Sequence, residues 1–328
     1  MKAIVQTKYG SFDVLEYGEA QKPTPSHDEA LVKVHAAAIN FGNLVLVGGK
    51  PFFTRSEAGW LNPHKILNPG SDVAGQVEAI GKNTTQFKPG DEVFADNLPG
   101  GYGTYAEYVC VPENEIALKP ANISFEEAAA VPQAALVALQ GLRDVGQIQA
   151  GQKVLITGAS GGNGTFAVQI AKAFDAEVTA VCSTRNIELV RSLGADNVID
   201  YTQEDFPQNG AQYDLIIAMG GYRKLNDYMN VLLPDGIFVW AGGDLKGLFE
   251  TMVLGSWTSR GTDKKLTTLS HHSSQEDLVF MAELIEAGQV KPVIDRSFPL
   301  TETGEAFRHY AAGHMQGKVV ITVVEDRE

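Results

Sequence analysis

Apolar positions fall in two textures along this chain, which change over near residue 125. Before that point, short apolar runs at 30–35, 73–80 and 106–111 are broken by Pro and Gly, the pattern of strands joined by frequent turns. After it, continuous apolar runs recur at 154–156, 178–181, 198–199, 215–218 and 237–240. Strands of that kind are buried on both faces, so they predict a parallel sheet covered by helices. The helices between them are legible as well. Ser124 followed by Glu126 and Glu127 starts an alanine-rich helix with acids in its first turn, where the helix dipole favours them. Ala167, Ile170, Ala171 and Phe174 fall at i, i+3, i+4 and i+7, one stripe facing a sheet. Strand and helix alternating over roughly 120–270 predict an α/β fold with a doubly wound parallel sheet. A further helix is expected over 277–287, followed by Lys291-Pro292 and a terminal strand over 318–324. No internal repeat or low-complexity segment interrupts the pattern.

Size and composition narrow the class. A chain of 328 residues exceeds the usual span of one core, which predicts two domains. With 44% hydrophobic and 20% charged residues, disorder and a fibrous architecture are excluded. A formal charge of -14, from 40 acidic against 26 basic side chains, repels a phosphate backbone, so no nucleic-acid partner is expected. The two cysteines, Cys110 and Cys182, are too few for a disulfide framework or a four-cysteine zinc site. The first residues turn polar too soon for a secretory signal, and no apolar run approaches the ~18 residues of a membrane span. The expected location is the reducing cytoplasm.

The chemistry concentrates after the first run of the second texture. Lys153-Val154-Leu155-Ile156-Thr157 leads into Gly158-Ala159-Ser160-Gly161-Gly162-Asn163-Gly164 and then into the amphipathic helix. Glycines there let the backbone turn tightly and let a pyrophosphate approach exposed N–H groups at a helix N-terminus. The motif is a variant of G-x-G-x-x-G, with Ala159 at the first glycine followed by Gly161 and Gly164. About 20 residues on, where an NAD enzyme places an acid on the ribose 2′-hydroxyl, the chain reads Cys182-Ser183-Thr184-Arg185-Asn186. Without a carboxylate at that point, and with Arg185 and two hydroxyls able to bind a 2′-phosphate, NADPH is the expected cofactor. His271-His272 is read as a satisfied or solvated pair on opposite faces of a strand rather than as a metal site.

Five segments in order carry a resemblance. Pro69-Gly70-Ser71-Asp72-Val73-Ala74-Gly75, Lys88-Pro89-Gly90-Asp91-Glu92-Val93, Gly103-Thr104-Tyr105-Ala106-Glu107-Tyr108, the 158–164 loop and Gly317-Lys318-Val319-Val320 together resemble the quinone-oxidoreductase branch of the medium-chain dehydrogenases/reductases. The subgroup of chloroplast envelope quinone oxidoreductase homologues and reticulon-interacting mitochondrial proteins is especially similar. The resemblance implies a GroES-like β-rich catalytic domain built from both chain ends, 1–122 and 271–328, around a Rossmann domain at 123–270, with the active-site cleft at their junction. Zinc-dependent alcohol dehydrogenases of this type hold a catalytic zinc on a cysteine from the segment corresponding to 38–43 and a histidine corresponding to Ser71. Neither ligand type is present here, so a zinc-independent site is expected.

By the same resemblance, Asn40 is the expected catalytic donor to a developing enolate oxygen, near the nicotinamide ribose. An equally open reading is that Asn40 fixes its loop through its own backbone bonds. Tyr201 is placed near the 2′-phosphate, Met219-Gly220 and Ala241-Gly242-Gly243 near the ribose and nicotinamide, and Lys318 on the cofactor from the terminal segment. Two departures from the family are Asn163 in the glycine loop and Val137 where relatives carry a threonine. Phe41, Phe52, Phe53 and Trp60 offer apolar walls for a ring-shaped substrate, though packing of a long loop explains them equally.

Without a metal, hydride addition to an electron-poor alkene or quinone is the better chemistry for such a site. The expectation is an NADPH-dependent reductase of quinones or α,β-unsaturated carbonyls, with a small-molecule electrophile as its partner. The alternatives are an NADP-dependent alcohol or aldehyde oxidoreductase and, from another class, a non-catalytic NADPH-binding redox sensor. By family analogy a homodimer would form through the strand near 265–269.

Overall fold

The computed structural model describes residues 1–63, 66–204, 210–221, 223–243, 250–252 and 263–323. The chain divides into two compact units, Met1–Gln133 with Ser273–Glu286 and Pro292–Glu328, and Ala134–His272 with Ala287–Lys291. The seams expected from the sequence lie at 122/123 and 270/271. The helix α3 at Phe125–Ala129 accounts for the first shift, since it packs against strands of the first unit rather than opening the second. Its start is as expected: Ser124 Oγ accepts from the Glu127 N–H, and Glu127 Oε2 accepts in return from the Ser124 N–H.

In the first unit, β1 (Lys2–Gln6) and β2 (Leu15–Glu19) form an antiparallel ribbon. The main sheet is built from β3 (Glu29–Ala38), β4 (Asp72–Ile80), β5 (Glu92–Asp96), β6 (Tyr108–Pro112) and β7 (Ile116–Leu118), closed by the terminal pair β14 (Ile294–Pro299) and β15 (Lys318–Thr322). Strand order is β14-β15-β3-β4-β5-β7, with β6 also on β3. The strand expected over 106–111 begins two residues later, because Ala106 makes only an isolated bridge to Ala3. The terminal strand ends at Thr322, and Val324 lies outside the described residues. One core of this unit gathers Tyr105, Phe298, Phe307 and Ile321, with Tyr105 and Phe307 meeting edge to face at 5.8 Å.

The second unit is a six-stranded, wholly parallel sheet of β8 (Lys153–Thr157), β9 (Glu177–Cys182), β10 (Asn197–Asp200), β11 (Tyr213–Ala218), β12 (Leu232–Trp240) and β13 (Lys265–Thr268). Its order, β10-β9-β8-β11-β12-β13, reverses direction between β8 and β11. That is the doubly wound dinucleotide-binding arrangement, in which ligands collect outside the strand carboxyl ends at the reversal. The helix α5 (Gly162–Ala173) follows β8. The expected single apolar stripe under-reads it: every residue from Gly164 to Ala171 is buried, including Gln169, whose side chain exchanges two hydrogen bonds with the Lys291 backbone. His271 and His272 lie in irregular backbone after β13, not on a strand, and the Gln140 side chain bonds both backbone groups of His272.

Candidate active site

The expected cofactor residues of the second unit come together at the strand carboxyl ends. Gly158 turns the chain out of β8 at φ +67°, and a Cβ there would stand 2.8 Å from the Gly220 nitrogen. A Cβ on Gly164 would lie 2.1 Å from the Gly158 carbonyl oxygen, so only glycine lets the helix sit this close to the strand end. Gly161 is different. It is the N-terminal cap of α5, and a Cβ built on it meets nothing nearer than 3.4 Å. Its bareness leaves the helix N-terminus open to an approaching anion, which is the fit a pyrophosphate requires.

Met219 and Gly220 join this loop directly: the Met219 N–H donates to the Thr157 carbonyl, and Thr157 Oγ1 donates to the Gly220 carbonyl at 3.0 Å. Gly242 packs on the Met219 carbonyl, where a Cβ would stand at 2.8 Å, and Gly243 faces Gly220. Asn163 is half-buried at the start of α5.

The corner expected to take the 2′-phosphate differs from the expectation. Arg185 and Tyr201 are exposed at the ends of β9 and β10, as a phosphate contact requires, and Tyr201 is 56% exposed. However, Thr184 Oγ1 donates to Asp200 Oδ2 at 2.5 Å and lies 2.9 Å from the Thr202 hydroxyl. The register pairs Asp200 with Cys182, so a carboxylate does stand beside this corner. It arrives from the neighbouring strand, 16 residues beyond Thr184, where reading along β9 alone did not find it. The Thr184 hydroxyl bond holds the Asp200 carboxyl below its usual range, so it is charged at neutral pH. Ser183 keeps a half-buried hydroxyl that accepts from Asn186 Nδ2 at 3.3 Å. Asn186, which sequence reasoning passed over, donates from the same amide to Ser160 Oγ at 2.7 Å.

The other candidate residues belong to the first unit. Asn40 is only 4% exposed at the end of β3, preceding α1 (Phe41–Gly48). Its backbone N–H donates to Asn43 Oδ1 at 2.7 Å, and Asn43 is held in turn by the Pro69 carbonyl and the Tyr105 hydroxyl. The Asn40 side chain points to a buried ion pair. Lys318, 2% exposed, donates from Nζ to Asn40 Oδ1, to the Ile39 carbonyl at 3.2 Å and to Asp72 Oδ2 at 3.3 Å. Lys318 thus spends its donors inside the first unit, a placement that its family-based assignment to the cofactor did not anticipate. Burial pushes the Asp72 carboxyl up to about 6 against the pull of the Lys318 ammonium, and burial likewise lowers Lys318. Asn40 Nδ2 has Ser71 Oγ at 3.4 Å, a long contact, and the Asn40 amide also hydrogen-bonds the Asp72 carboxyl, pulling it down against burial.

Of the aromatic residues expected to wall a substrate, Phe52 and Trp60 tilt together at 5.3 Å, and Arg55 lies 5.1 Å from the Phe52 ring and 4.5 Å from that of Tyr9. Phe41, Phe52, Phe53 and Trp60 are each at least half exposed on the surface of this unit. Burial pushes both thiols up, Cys110 to about 12 and Cys182 to about 11, which disfavours the thiolate form.

A GroES-like β-rich unit paired with a doubly wound parallel sheet defines the class of medium-chain dehydrogenases. Two family models match, the alcohol dehydrogenase GroES-like domain over residues 26–121 and the zinc-binding dehydrogenase domain over residues 193–321. The chain is 36% identical to the NAD(P)H oxidoreductase RTN4IP1, mitochondrial, of Homo sapiens, over 99% of this chain and 89% of that protein. It is also 36% identical to the 2-methylene-furan-3-one reductase of Solanum lycopersicum, over 98% of this chain and 79% of the relative. Among solved structures, the quinone oxidoreductase of Coxiella burnetii superposes with a TM-score of 0.87 at 28% identity, covering 99% of both chains. The chain belongs to the medium-chain dehydrogenase/reductase family, in its quinone oxidoreductase branch.

The name of the second model raises zinc, and the donor set here does not fit it. Asn40 and Ser71 present an amide and a hydroxyl in place of thiolate and imidazole, and the Asn40 oxygen already faces an ammonium.

Proposed function

We propose that this chain is an NADPH-dependent reductase of quinones or α,β-unsaturated carbonyls that works without a metal. The observation that carries the reading is the Lys318 ammonium on Asn40 Oδ1, a fixed cation where zinc-dependent relatives use metal ligands. An alcohol loses its activator without a metal ion, whereas an electron-poor alkene or quinone needs only positioning and a hydrogen-bond donor.

The 158–164 loop and the N-terminus of α5 hold the pyrophosphate, the strand ends at Gly220, Gly242 and Gly243, packed closely on one another and on Gly158, receive the ribose and nicotinamide, and Arg185, Tyr201 and Ser183 receive the 2′-phosphate. Bound NADPH supplies the hydride. Asn40 Nδ2 donates to the substrate oxygen as negative charge builds on it, and the exposed faces of Phe41, Phe52, Phe53 and Trp60 take the substrate ring. Steady-state rates with NADPH and either 1,4-naphthoquinone or an enone, set against ethanol with NADP⁺, test the reading. Turnover of ethanol alone would overturn it.

The homodimer belongs to the same proposal. In the described sheet β13 has only β12 beside it, which leaves an edge for a second copy. A monomer in analytical ultracentrifugation would refute this.

A further inference from the structure

We propose that Lys318 is a positioning residue for Asn40: its ammonium fixes which way the Asn40 amide faces and polarises the N–H bonds that amide presents. The inference rests on the reductase reading, because that reading makes Asn40 the donor to the substrate oxygen.

Lys318 Nζ carries three hydrogens and no lone pair, so it binds Asn40 only through the amide oxygen. That contact settles the side-chain orientation. Oδ1 is committed to the ammonium, and Nδ2 is the group left to donate elsewhere. Nδ2 faces two acceptors, Ser71 Oγ at 3.4 Å and the Asp72 carboxyl, and the first contact is long enough that a substrate oxyanion within reach would compete for the donor. The backbone that carries this side chain is fixed as well, since the Asn40 N–H donates to Asn43 Oδ1.

The remaining contacts keep the ammonium in place. Asp72 Oδ2 accepts from Lys318, and Asp72 Oδ1 accepts from the Gln133 N–H at 3.2 Å. The Ile39 carbonyl takes the third hydrogen. Lys318 and Asp72 are 2% and 0% exposed, so little water screens the charge. A cation on an amide oxygen draws electron density from the amide nitrogen and makes its N–H groups stronger donors, as successive hydrogen bonds reinforce one another. The arrangement thereby supplies through an amide the positive charge that zinc-dependent relatives supply through an ion. No proton moves from Lys318, and the step needs no further reactant.

The test compares Lys318→Met, Asn40→Ala and the two combined. In each, kcat and KM with 1,4-naphthoquinone, the NADPH dissociation constant, and the Asn40 side-chain ¹⁵N and ¹H resonances of the cofactor-free protein are measured. Lys318→Met is expected to lower kcat about a hundredfold, the usual cost of one oxyanion donor, with KM and NADPH affinity within about twofold of wild type. In the Asn40→Ala background it should lower kcat no further. Additive losses, an unchanged kcat, or NADPH affinity falling in step with kcat would overturn the proposal, the last by placing Lys318 on the cofactor. If Lys318→Met leaves Asp72 stranded and does not fold, Asp72→Asn with Lys318→Met buries no charge and carries the same expectations. Should the wild type reduce neither quinone nor enone, the reductase reading fails, and the resonances decide separately for Lys318. Upfield movement of both Asn40 amide protons on loss of the ammonium supports the contact, and unchanged shifts overturn it.

Discussion

The Asn186 amide donates to the Ser160 hydroxyl at 2.7 Å, tying the turn after β9 to the glycine loop after β8. Two loops expected to grip different parts of one dinucleotide are therefore a single hydrogen-bonded piece. Asn186→Ala removes that tie and leaves the Ser160 oxygen short of a donor. The loss of one neutral bond, about 1 kcal/mol, should weaken NADPH binding roughly fivefold. Fluorescence titration checks it, and unchanged affinity would mean that the loop holds its shape unaided.

Gly161 and Gly164 separate the two uses of glycine in the loop. Gly164→Ala forces a Cβ to 2.1 Å from a backbone oxygen, and overpacking of that kind costs about 1–3 kcal/mol, so the melting temperature should fall. Gly161→Ala meets only ordinary contacts at φ -81°, so melting should be unchanged while NADPH affinity drops about tenfold from crowding at the helix N-terminus. Differential scanning calorimetry and titration on both variants test this pair of outcomes.

Asp200 and Arg185 carry opposite charges at the corner proposed for the 2′-phosphate. Arg185→Ala should raise the NADPH dissociation constant about tenfold and leave NADH unaffected. Asp200→Asn removes a like charge and should move selectivity toward NADPH by roughly threefold or more. The ratio of kcat/KM for the two cofactors reads both effects, and a shift toward NADH in Asp200→Asn would contradict the assignment.

Asp72 makes the fold sensitive to mild acid in an unusual direction. Its folded pKa, about 6, lies above the ordinary 3.8, so the unfolded chain releases this proton first as pH rises. Stability from this carboxyl is full below pH 4 and declines toward pH 6. Relative to Asp72→Asn, the wild type should lose stability across that window in urea melts. A parallel pair of pH profiles would show that the carboxyl is unperturbed.

The proposed zinc independence has a direct test. Elemental analysis of purified protein should return well under one zinc per chain, and prolonged chelation should leave quinone reduction unchanged. Stoichiometric zinc lost together with activity would reverse the chemistry proposed for Asn40.

The second unit was the more legible half. Its runs at 154–156, 178–181 and 215–218 became central parallel strands because a strand covered on both faces must be apolar throughout. The glycine loop could be placed by its strand-loop-helix order alone. Asp200 escaped notice because its relation to Thr184 exists only through the β9–β10 register, between strands whose alignment no local pattern states. Phe166 and Gln169 were similarly invisible as core, since a helix buried all round shows no polar face to mark it.

Local order determined what local order can: strand and helix periods, the Ser124 cap, the bare glycines at the mouth of a sheet, and the absence of thiolate or imidazole at 40 and 71. Tertiary structure alone decided the partner of Lys318. It stands 278 residues from Asn40 and 246 from Asp72, and pairing β15 with β3 beside β4 brings all three together. The reason is physical. An ammonium shut away from water must find acceptors wherever the sheet places them, and its position along the chain says nothing about which those will be.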